Sequence, residues 1–569
     1  MLLGIGLHGV LSFTTFAPFG WSAVDRTEWA GFDIFFLAVH GFRMPLFFLL
    51  SGYFTAMLWR NRGLASLLGH RAKRILLPLA LGWLLIVPII EMASEDARKT
   101  RGVRAARQSE TELQADLEAE PPAVGDDGTD LDKAASPTRL VDAAIDGDIA
   151  TVRSLLEDGS DPDTRDEKFV TALHYAAALG YVEVTGALLD AGADVERGDE
   201  KNSTPLMWAV LFGQPGTTIR LLEGGADPNA RNSDGSSSMD IAMAPWADLA
   251  EFVPFVAGLL ELEVDIERVE RDREELPELL REAGANEESG EGLMAFLFFL
   301  PVFHHLWFLW FLCWLVLAFT IHASLARLIG RTLLPAWLFS SPICLLWLVP
   351  LTMLPQAFMH GGPESPGFGP DTSIGILPFP HLLFYYGIFF GFGALLFDRP
   401  RAAERIGSGW WAALPLALLI MLPYGLAISG TTGEVPGWLP FSTPGSGGRA
   451  FMNILAQALY TWLMSLGLVG LFRRILRREH RVVRYLSDSS YWLYLAHLPL
   501  IIWLQGRIAD WDLPAIPKCL LLCVSVTALL LLTYEYGVRY TPIGTILNGR
   551  KVRPGPGAYD AGGRDRHGR

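Results

Sequence analysis

Residues 34–58 read IFFLAVHGFRMPLFFLLSGYFTAML, an apolar stretch with one arginine and no acidic residue. A helix needs about 20 apolar residues to cross the hydrocarbon core of a bilayer, so this stretch predicts a transmembrane helix. The composition of the whole chain agrees, since 51% of its 569 residues are hydrophobic and it holds 18 Trp and 33 Phe. We therefore expect an integral membrane protein.

Nine other apolar stretches of similar length accompany this one, which brings the predicted number of spans to ten. In chain order the ten spans are 1–18, 34–58, 75–92, 305–325, 334–354, 379–397, 409–429, 450–472, 488–505 and 516–537.

Positive charge alternates between the loops that separate these spans. Lys and Arg concentrate in the cytoplasmic loops of membrane proteins. The loops after spans two, four, six and eight and the C-terminal tail are rich in both residues, while the intervening short loops are not. This alternation places both termini in the cytoplasm and the long segment after span three outside, in the periplasm of a bacterium. One basic cluster beside the end of span three disagrees: Arg98, Lys99, Arg101, Arg104 and Arg107.

The long segment after span three differs in composition from the rest of the chain. Residues 94–292 hold 45 of the 61 acidic and 18 of the 46 basic residues, a net charge of −27, which leaves +12 elsewhere. Three of its stretches align without gaps at a spacing of 33 residues: AAIDGDIATVRSLLEDGSDPD (143–163), AAALGYVEVTGALLDAGADVE (176–196) and AVLFGQPGTTIRLLEGGADPN (209–229). TALHYAA at 171 and TPLMWAV at 204 share this register. The segment is an internal repeat.

This pattern resembles the ankyrin repeat, a 33-residue unit with the signature T-P-L-H-x-A. In such a unit the Thr begins the first helix, and a glycine after the second helix adopts a left-handed conformation. A degenerate fourth repeat begins at NSDGSSSMDIAMAPW, and the stretch to LLREAGANEE completes it as a helical cap. Three to four units are about the minimum for a stable stack.

The predicted fold class is all-α, a polytopic membrane helix bundle of about ten transmembrane helices with an inserted ankyrin-repeat solenoid. The predicted domains are a first membrane part, a flexible linker, the repeats, a second membrane part and a disordered tail. Their limits are 1–92, 93–136, 137–290, 293–553 and 554–569. We expect the repeats to bind a protein of unknown identity, and we expect no nucleic-acid partner.

Ionisable side chains inside membrane spans are costly and are therefore functional candidates. Imidazoles can take up and release a proton near neutral pH, and a guanidinium can hold a phosphate or a carboxylate. Together they indicate proton transfer on an anionic substrate, although a single histidine in such a position is more often only a hydrogen-bond donor in helix packing. The candidates are His8, His40, Arg43, His304, His305, His381, His497, Glu535 and Arg539.

The cysteines and histidines do not predict a metal site. Cys313, Cys344, Cys519 and Cys523 all lie in predicted spans. Cys519 and Cys523 share a helical face, where packed thiols are more plausible than metal ligands. No H-x-x-x-H or H-E-x-x-H spacing occurs. We expect no metal and no cofactor beyond a co-substrate, and no cleavable signal peptide.

Several strings resemble the integral-membrane acyltransferase type 3 family, over residues 1–92 and 293–553. These strings are HGFRMPLFFLLSGYFTAMLWRNRG (40–63), RAKRILLPLALGW (71–83), HHLWFLWFL (304–312), FPHLLFYYGIFFGFGALLF (379–397), LSDSSYWLYLAHLPL (486–500) and VRYTPIGTILNGRK (538–551). The later ones are similar to the branch that acylates glucans, such as the periplasmic-glucan succinyltransferases. The resemblance implies transfer of an acyl group, succinyl or acetyl, from acyl-CoA to a hydroxyl of an extracytoplasmic glycan.

The resemblance also implies roles for individual residues. His8 matches the histidine of the family's first span and would act as the general base, while Arg43 would orient the acyl group. Ser51 is a less plausible nucleophile, because Ser51 and Gly52 suit close helix packing. The candidate substrate-binding residues are Arg71 and Arg74 for the coenzyme phosphates, His305 and Trp307 at the outer acceptor entrance, and Tyr491 and His497 facing the cavity.

Two alternatives stay open at this level. The family's first span has an arginine eleven residues before its histidine, a position that lies upstream of Met1 here. Either the natural start lies further upstream, or the protein is an inactive membrane scaffold. A proton-coupled transporter would also carry buried His and Arg, but the two halves of the chain show no repetition of the kind that transporters often have.

Overall fold

The computed structural model describes residues 1–15, 21–100, 139–286, 297–298, 302–329, 335–359, 367–429, 446–549 and 551. Isolated positions within these ranges are excepted, namely 98, 167, 169, 200, 234, 245, 250, 251, 261, 263, 341, 477 and 479. All regular elements of these residues are helices, which confirms the predicted all-α class. The chain divides into two compact units, Met1–Glu118 with Met294–Arg569, and Ala119–Leu293.

The N-terminal part of the membrane unit begins with three helices. α1 spans Leu2–Val10, α2 spans Ala30–Arg71 and α3 spans Leu77–Leu85, with a π-helical turn between α2 and α3. The helical path continues to Ala97, so the first residues assigned to the linker are helical rather than flexible. The rest of that predicted linker, from residue 101, lies outside the described residues.

The long second helix reverses direction near its middle. Nη2 of Arg71 donates to Oγ1 of Thr55 at 2.7 Å, although 16 residues of straight helix would separate the two by about 24 Å. Gly63, halfway between them, has φ +76 and ψ 173, which breaks the helix. A residue without Cβ adopts this conformation at little cost. The predicted second and third spans are therefore separate passes.

The repeat unit contains short helices in pairs. They are α4 (Arg139–Ile145), α5 (Ile149–Glu157), α6 (Ala172–Leu179), α7 (Val182–Asp190), α8 (Pro205–Leu211), α9 (Pro215–Glu223), α10 (Ser238–Met243), α11 (Trp246–Leu249), α12 (Phe252–Leu259), α13 (Ile266–Asp272) and α14 (Leu276–Glu282). Thr171 and Thr204 cap α6 and α8, as the sequence predicts. The glycines that follow the second helices have positive φ, as the sequence also predicts: Gly159, Gly192 and Gly225.

The fourth repeat is complete but interrupted. In the second and third repeats, the amides of Asp194 and Asp227 donate to Asp163 and Glu196 of the preceding repeat, in each case 31 residues away. The equivalent bond of the fourth repeat joins the amide of Asn286 to Asn229, 57 residues away. The fourth repeat therefore contains 26 extra residues before its second helix, α14. This insertion explains why its sequence looks degenerate.

The second membrane part completes the bundle. Its helices are α15 (Trp307–Ile329), α16 (Leu345–Gln356), α17 (Pro380–Phe397), α18 (Pro400–Arg405), α19 (Trp410–Leu416), α20 (Leu422–Ile428), α21 (Ser446–Ile475), α22 (Arg481–Ile508), α23 (Ala515–Thr533) and α24 (Pro542–Asn548). α19 and α20 are joined by a π-helical turn, Ala417–Met421.

Six helices of the described residues are long and apolar enough to cross a membrane, and the protein is a multi-pass membrane protein. They are Ala30–Ala97, His304–Leu325, Pro380–Phe397, Trp410–Ile428, Gly448–Ile475 and Ala515–Val538, of which the first holds predicted spans two and three. The helices at predicted spans one and five are shorter, Leu2–Phe13 and Leu345–Gln356. α22, at predicted span nine, is long but carries several polar residues. The structure therefore does not confirm the count of ten.

Small residues allow the central helices to approach closely. A Cβ on Gly52 of α2 would overlap the carbonyl oxygen of Phe390, and a Cβ on Gly393 of α17 would overlap that of Leu49. The backbones of α2 and α17 are therefore in direct contact, which fits the packing role expected for Gly52. This contact fixes the part of α2 that carries Arg43.

Candidate functional site

An interior cavity of the membrane unit gathers side chains from α1, α2, α15 and α22. Its volume is about 50 Å³. Five of the candidates predicted from sequence line it: His8, Arg43, His305, Trp307 and His497. Residues from four helices, distant in sequence, thus share one polar cavity within an apolar bundle.

The first helix reaches the bundle interior because its glycines leave room for neighbouring side chains. A Cβ on Gly4 would lie 3.1 Å from Nη1 of Arg43, and a Cβ on Gly9 would lie 2.6 Å from Sγ of Cys523. Nε2 of Gln505 on α22 donates to the carbonyl oxygens of His8 and Gly9 at 3.0 and 3.1 Å. These contacts hold the backbone of α1 against α22.

The imidazole of His8 pairs with that of His497. Nδ1 of His8 and Nε2 of His497 are 2.8 Å apart, and the ring centroids are 5.0 Å apart with the planes inclined by 20°. Nδ1 of His497 lies 2.8 Å from the carbonyl oxygen of Tyr494. On its other side, His8 stacks on Trp21 at 6.1 Å. The orientation of His8 is therefore set by one hydrogen bond and two ring contacts.

Arg43 brings a cation into the same cavity. Its Nε is buried without a hydrogen-bond partner, and no carboxylate of the described residues pairs with its guanidinium. An unpaired cation in a low-dielectric interior is unfavourable unless something else compensates it. The guanidinium is therefore available to an anionic or strongly polar group of a ligand.

His305, in the 3₁₀ turn His304–Leu306 before α15, and Trp307, the first residue of α15, both line the cavity. Nε2 of His305 lies 3.1 Å from the carbonyl oxygen of Leu495, and its Nδ1 is buried with no partner among the described residues. Trp307 packs on Phe48 and Tyr386, with ring centroids 6.4 and 5.5 Å away. Both residues, expected at an outer entrance, line the same cavity as His8.

Arg71, Arg74 and Tyr491 form a second cluster. The Tyr491 hydroxyl donates to the carbonyl oxygen of Arg74 at 2.6 Å, and Nη1 of Arg74 donates to the carbonyl oxygen of Leu547 at 2.8 Å. Arg71 bonds to Thr55, which lies twelve residues beyond Arg43 on α2, or about 18 Å along the helix.

The prediction that Tyr491 faces the cavity is wrong. Tyr494, one turn further along α22, lines the cavity instead. Tyr491 lies six residues before His497, about 9 Å along α22 and on a different face of the helix, and its hydroxyl bonds to Arg74 rather than facing His8. The rings of Tyr491 and Tyr494, 6.4 Å apart, link the two clusters.

His40, His304, Glu535 and Arg539 have structural partners. Nε2 of His40 bonds to the carbonyl oxygen of Pro370 at 2.9 Å, and His304 pairs with Glu91 at 2.8 Å. Arg539 pairs with Glu535 at 2.7 Å. No group of three or more potential metal ligands occurs in the part of the chain that the structure describes. None of these residues lines the cavity around His8.

The membrane unit matches a known family. A sequence model described as "Acyltransferase domain" matches residues 1–99 and 245–535, more than half of the chain. The chain belongs to this acyltransferase family. Membership favours the enzyme over the transporter alternative, and the enzyme transfers groups other than amino-acyl groups. The second matched segment begins at 245, within the compact unit that holds the repeats, so the predicted domain limits stay predictions.

The inserted unit matches a second family. A model described as "Ankyrin repeats (3 copies)" matches residues 140–232. A 52-residue stretch is 46% identical to Ankyrin repeat domain-containing protein 46 of Danio rerio, covering 9% of this chain and 23% of that protein. The acyltransferase therefore carries an ankyrin-repeat region, a fold suited to protein binding.

Three residues of the cavity region escaped the sequence analysis. Tyr494 lines the cavity, Trp21 stacks on His8, and Gln505 holds the backbone of α1. Gln505 and Tyr494 share α22 with His497, so a search for polar residues at helical spacing from His497 could have found them. Trp21 lies in a loop between spans, where the sequence has no signal of its contact with His8.

Proposed function

We propose that this membrane acyltransferase moves an acyl group from acyl-CoA to a hydroxyl of an extracytoplasmic carbohydrate. The observation that carries the proposal is the His8–His497 pair beside the unpaired Arg43 in one interior cavity. A neutral imidazole is a suitable base for a hydroxyl, and an unpaired guanidinium suits the oxygen on which negative charge develops.

The reaction needs no other group than these and the two substrates. His8 takes the proton of the acceptor hydroxyl as its oxygen attacks the thioester carbonyl. Arg43 donates hydrogen bonds to the carbonyl oxygen while it carries negative charge. The C–S bond then breaks, the C–O bond of the new ester remains, and the coenzyme thiolate leaves with the proton from His8. The transfer is direct and uses no acyl-enzyme at Ser51, because Ser51 does not line the cavity.

Arg71, Arg74 and Tyr491 bind the coenzyme end of the donor in this proposal. Their cluster is displaced from Arg43 by about 18 Å along α2, so a donor whose phosphates lie there must extend its acyl group toward His8. The alternation of positive loops supports a cytoplasmic position for this cluster and for both termini. The acceptor then reaches His8, His305 and Trp307 from the other side of a bacterial inner membrane.

The nature of the acyl group follows from the resemblance to glucan succinyltransferases, which favours succinyl or acetyl. The ankyrin-repeat region binds a protein partner on the periplasmic side in this proposal, and its net negative charge favours a basic partner. Neither feature is needed for the chemistry at His8.

Transfer can be tested with the full chain in proteoliposomes supplied with radiolabelled acetyl-CoA or succinyl-CoA and a glucan. His8→Ala should lower transfer by about 10²- to 10⁴-fold. His322→Ala is the matched control, because His322 is exposed on α15 and does not line the cavity. Proton flux without acyl transfer, or full transfer by the His8 variant, would contradict the proposal.

A further inference from the structure

α22 contains a proline where a buried helix would normally have an amide. Pro499 lacks an N–H, so the carbonyl of Leu495, four residues earlier, loses its intrahelical partner. In a membrane interior such a carbonyl must be satisfied by another group. Here Nε2 of His305 bonds to it at 3.1 Å.

α2 shows the same arrangement. Pro45 leaves the carbonyl of Gly41, also four residues earlier, without its helical partner. The hydroxyl of Thr461 donates to that carbonyl at 2.8 Å. In both helices a proline thus creates a backbone acceptor that a side chain from another helix occupies. At Pro499 that side chain is a histidine of the cavity.

Backbone carbonyls fix which ring nitrogens carry hydrogen, because a carbonyl oxygen only accepts hydrogen bonds. Nε2 of His305 must therefore donate to Leu495, which leaves its buried Nδ1 unprotonated when the ring is neutral. Nδ1 of His497 must donate to the carbonyl of Tyr494, which leaves its Nε2 as an acceptor. Nδ1 of His8 then donates to His497, and Nε2 of His8 is unprotonated.

We propose that Pro499 and His497 are positioning residues that give the cavity two unprotonated ring nitrogens, Nε2 of His8 and Nδ1 of His305. This rests on the proposed function and adds that the carbohydrate acceptor is held through two of its hydroxyls. One hydroxyl loses its proton to His8 and is acylated, while a second hydroxyl of the same molecule donates a hydrogen bond to His305. Water and monohydric alcohols offer only one group and bind less well.

The tautomers can be observed without any activity, by solid-state NMR of the full chain labelled with ¹⁵N-histidine in lipid bilayers. The signals of His305 and His8 are identified by their loss in His305→Phe and His8→Phe. At neutral pH the hydrogen of His305 should be on Nε2. Addition of glycerol should shift the ¹⁵N signals of both Nδ1 of His305 and Nε2 of His8. Addition of propan-1-ol should leave the signal of Nδ1 of His305 unchanged. A hydrogen on Nδ1 of His305 would overturn the proposal.

Pro499→Ala provides the second test, because it restores an amide to the Leu495 carbonyl and releases the His305 ring. The variant should show mixed tautomers at His305 and an acceptor kcat/KM lower by about tenfold, with the KM for acyl-CoA unchanged. Pro350→Ala is the matched control, since Pro350 also lies within a membrane helix but is exposed and outside the cavity. Unchanged tautomers in Pro499→Ala would overturn the role of the proline.

These experiments separate the two proposals. If the tautomers and the glycerol response are as expected but no acyl group is transferred, the proposed function is wrong and the organisation of the cavity stands. If acyl transfer occurs and His305 does not respond to glycerol, the second hydroxyl has no role and this inference is wrong.

Discussion

The buried Arg43 side chain of the wild type should make the folded protein less stable, although it supports catalysis. Replacement of a buried ion pair by apolar side chains of similar volume is often neutral or stabilises a protein by about 1–4 kcal/mol, because the cost of desolvating the charges is removed. Arg43 carries the same desolvation cost without a paired carboxylate to offset it, since its Nε is buried without a partner. We expect Arg43→Met to raise the free energy of unfolding by an amount within this range.

The same substitution should lower acyl transfer. Loss of a preorganised donor to a developing oxyanion costs about 10²- to 10³-fold in rate, which corresponds to ~3–4 kcal/mol of transition-state stabilisation. Opposite signs for stability and activity are the signature of a residue retained for function. A residue that mainly holds the helices together would lose both.

The assay compares thermal unfolding in detergent with transfer in proteoliposomes. Arg60→Met is the matched control, because Arg60 pairs with Asp398 through Nε at 2.8 Å and a second bond, far along α2 from the cavity. Arg60→Met should be neutral or slightly destabilising and should leave transfer unchanged. If Arg43→Met unfolds at a lower temperature than the wild type, or transfers acyl groups at the wild-type rate, the reasoning is wrong.

Three further predictions concern the scaffold. Burial lowers the pKa of His174 to about 4, from about 6.5 in an unfolded chain. As the pH falls, the unfolded chain therefore takes up this proton at a higher pH than the folded chain does. The free energy of unfolding of the repeat unit is accordingly highest above about pH 6.5 and decreases as the pH falls toward 4. Hydrogen exchange of residues 172–179 should show this loss, and His174→Gln, which can keep the capping box, should reduce it. Gly52→Ala should destabilise the membrane unit by ~1–3 kcal/mol in thermal unfolding, because the new Cβ would overlap the backbone of Phe390. Gly391→Ala on α17 is the control and should be neutral, because no heavy atom lies within 4 Å of a Cβ at that position. Thr204→Ala removes the cap of α8 and should cost about 1 kcal/mol, seen as faster hydrogen exchange in that helix.

Local patterns in the sequence were sufficient for the two parts of the fold. Apolar stretches long enough to cross a bilayer predict membrane helices because hydrocarbon leaves a backbone few other options. A 33-residue spacing predicts stacked repeats because each unit contacts only its neighbours. The 26-residue insertion in the fourth repeat was not predicted, because an insertion interrupts the 33-residue spacing on which the prediction depends.

The sequence could predict which residues belong to the candidate site, but not how they are arranged in space. His8, Arg43, His305 and His497 could be selected because ionisable side chains are costly inside a membrane, and Trp307 from the resemblance to the acyltransferase family. Which of them share a cavity, and whether Tyr491 or Tyr494 joins them, depends on how the helices are rotated against each other. That rotation is set by packing contacts such as those of Gly52 and Gly393, which no local pattern reveals.

The sequence by itself thus determined a membrane bundle with inserted ankyrin repeats and a short set of buried polar residues. All three can be recognised from local patterns, because apolar length, repeat spacing and a polar residue within a span are each visible in a short stretch of chain. Only the tertiary structure decided that His8 meets His497 across 489 residues of sequence. It also decided that a carbonyl left free by Pro499 orients His305. A hydrogen bond depends on position and angle in three dimensions, and those are fixed by the packing of all the helices together.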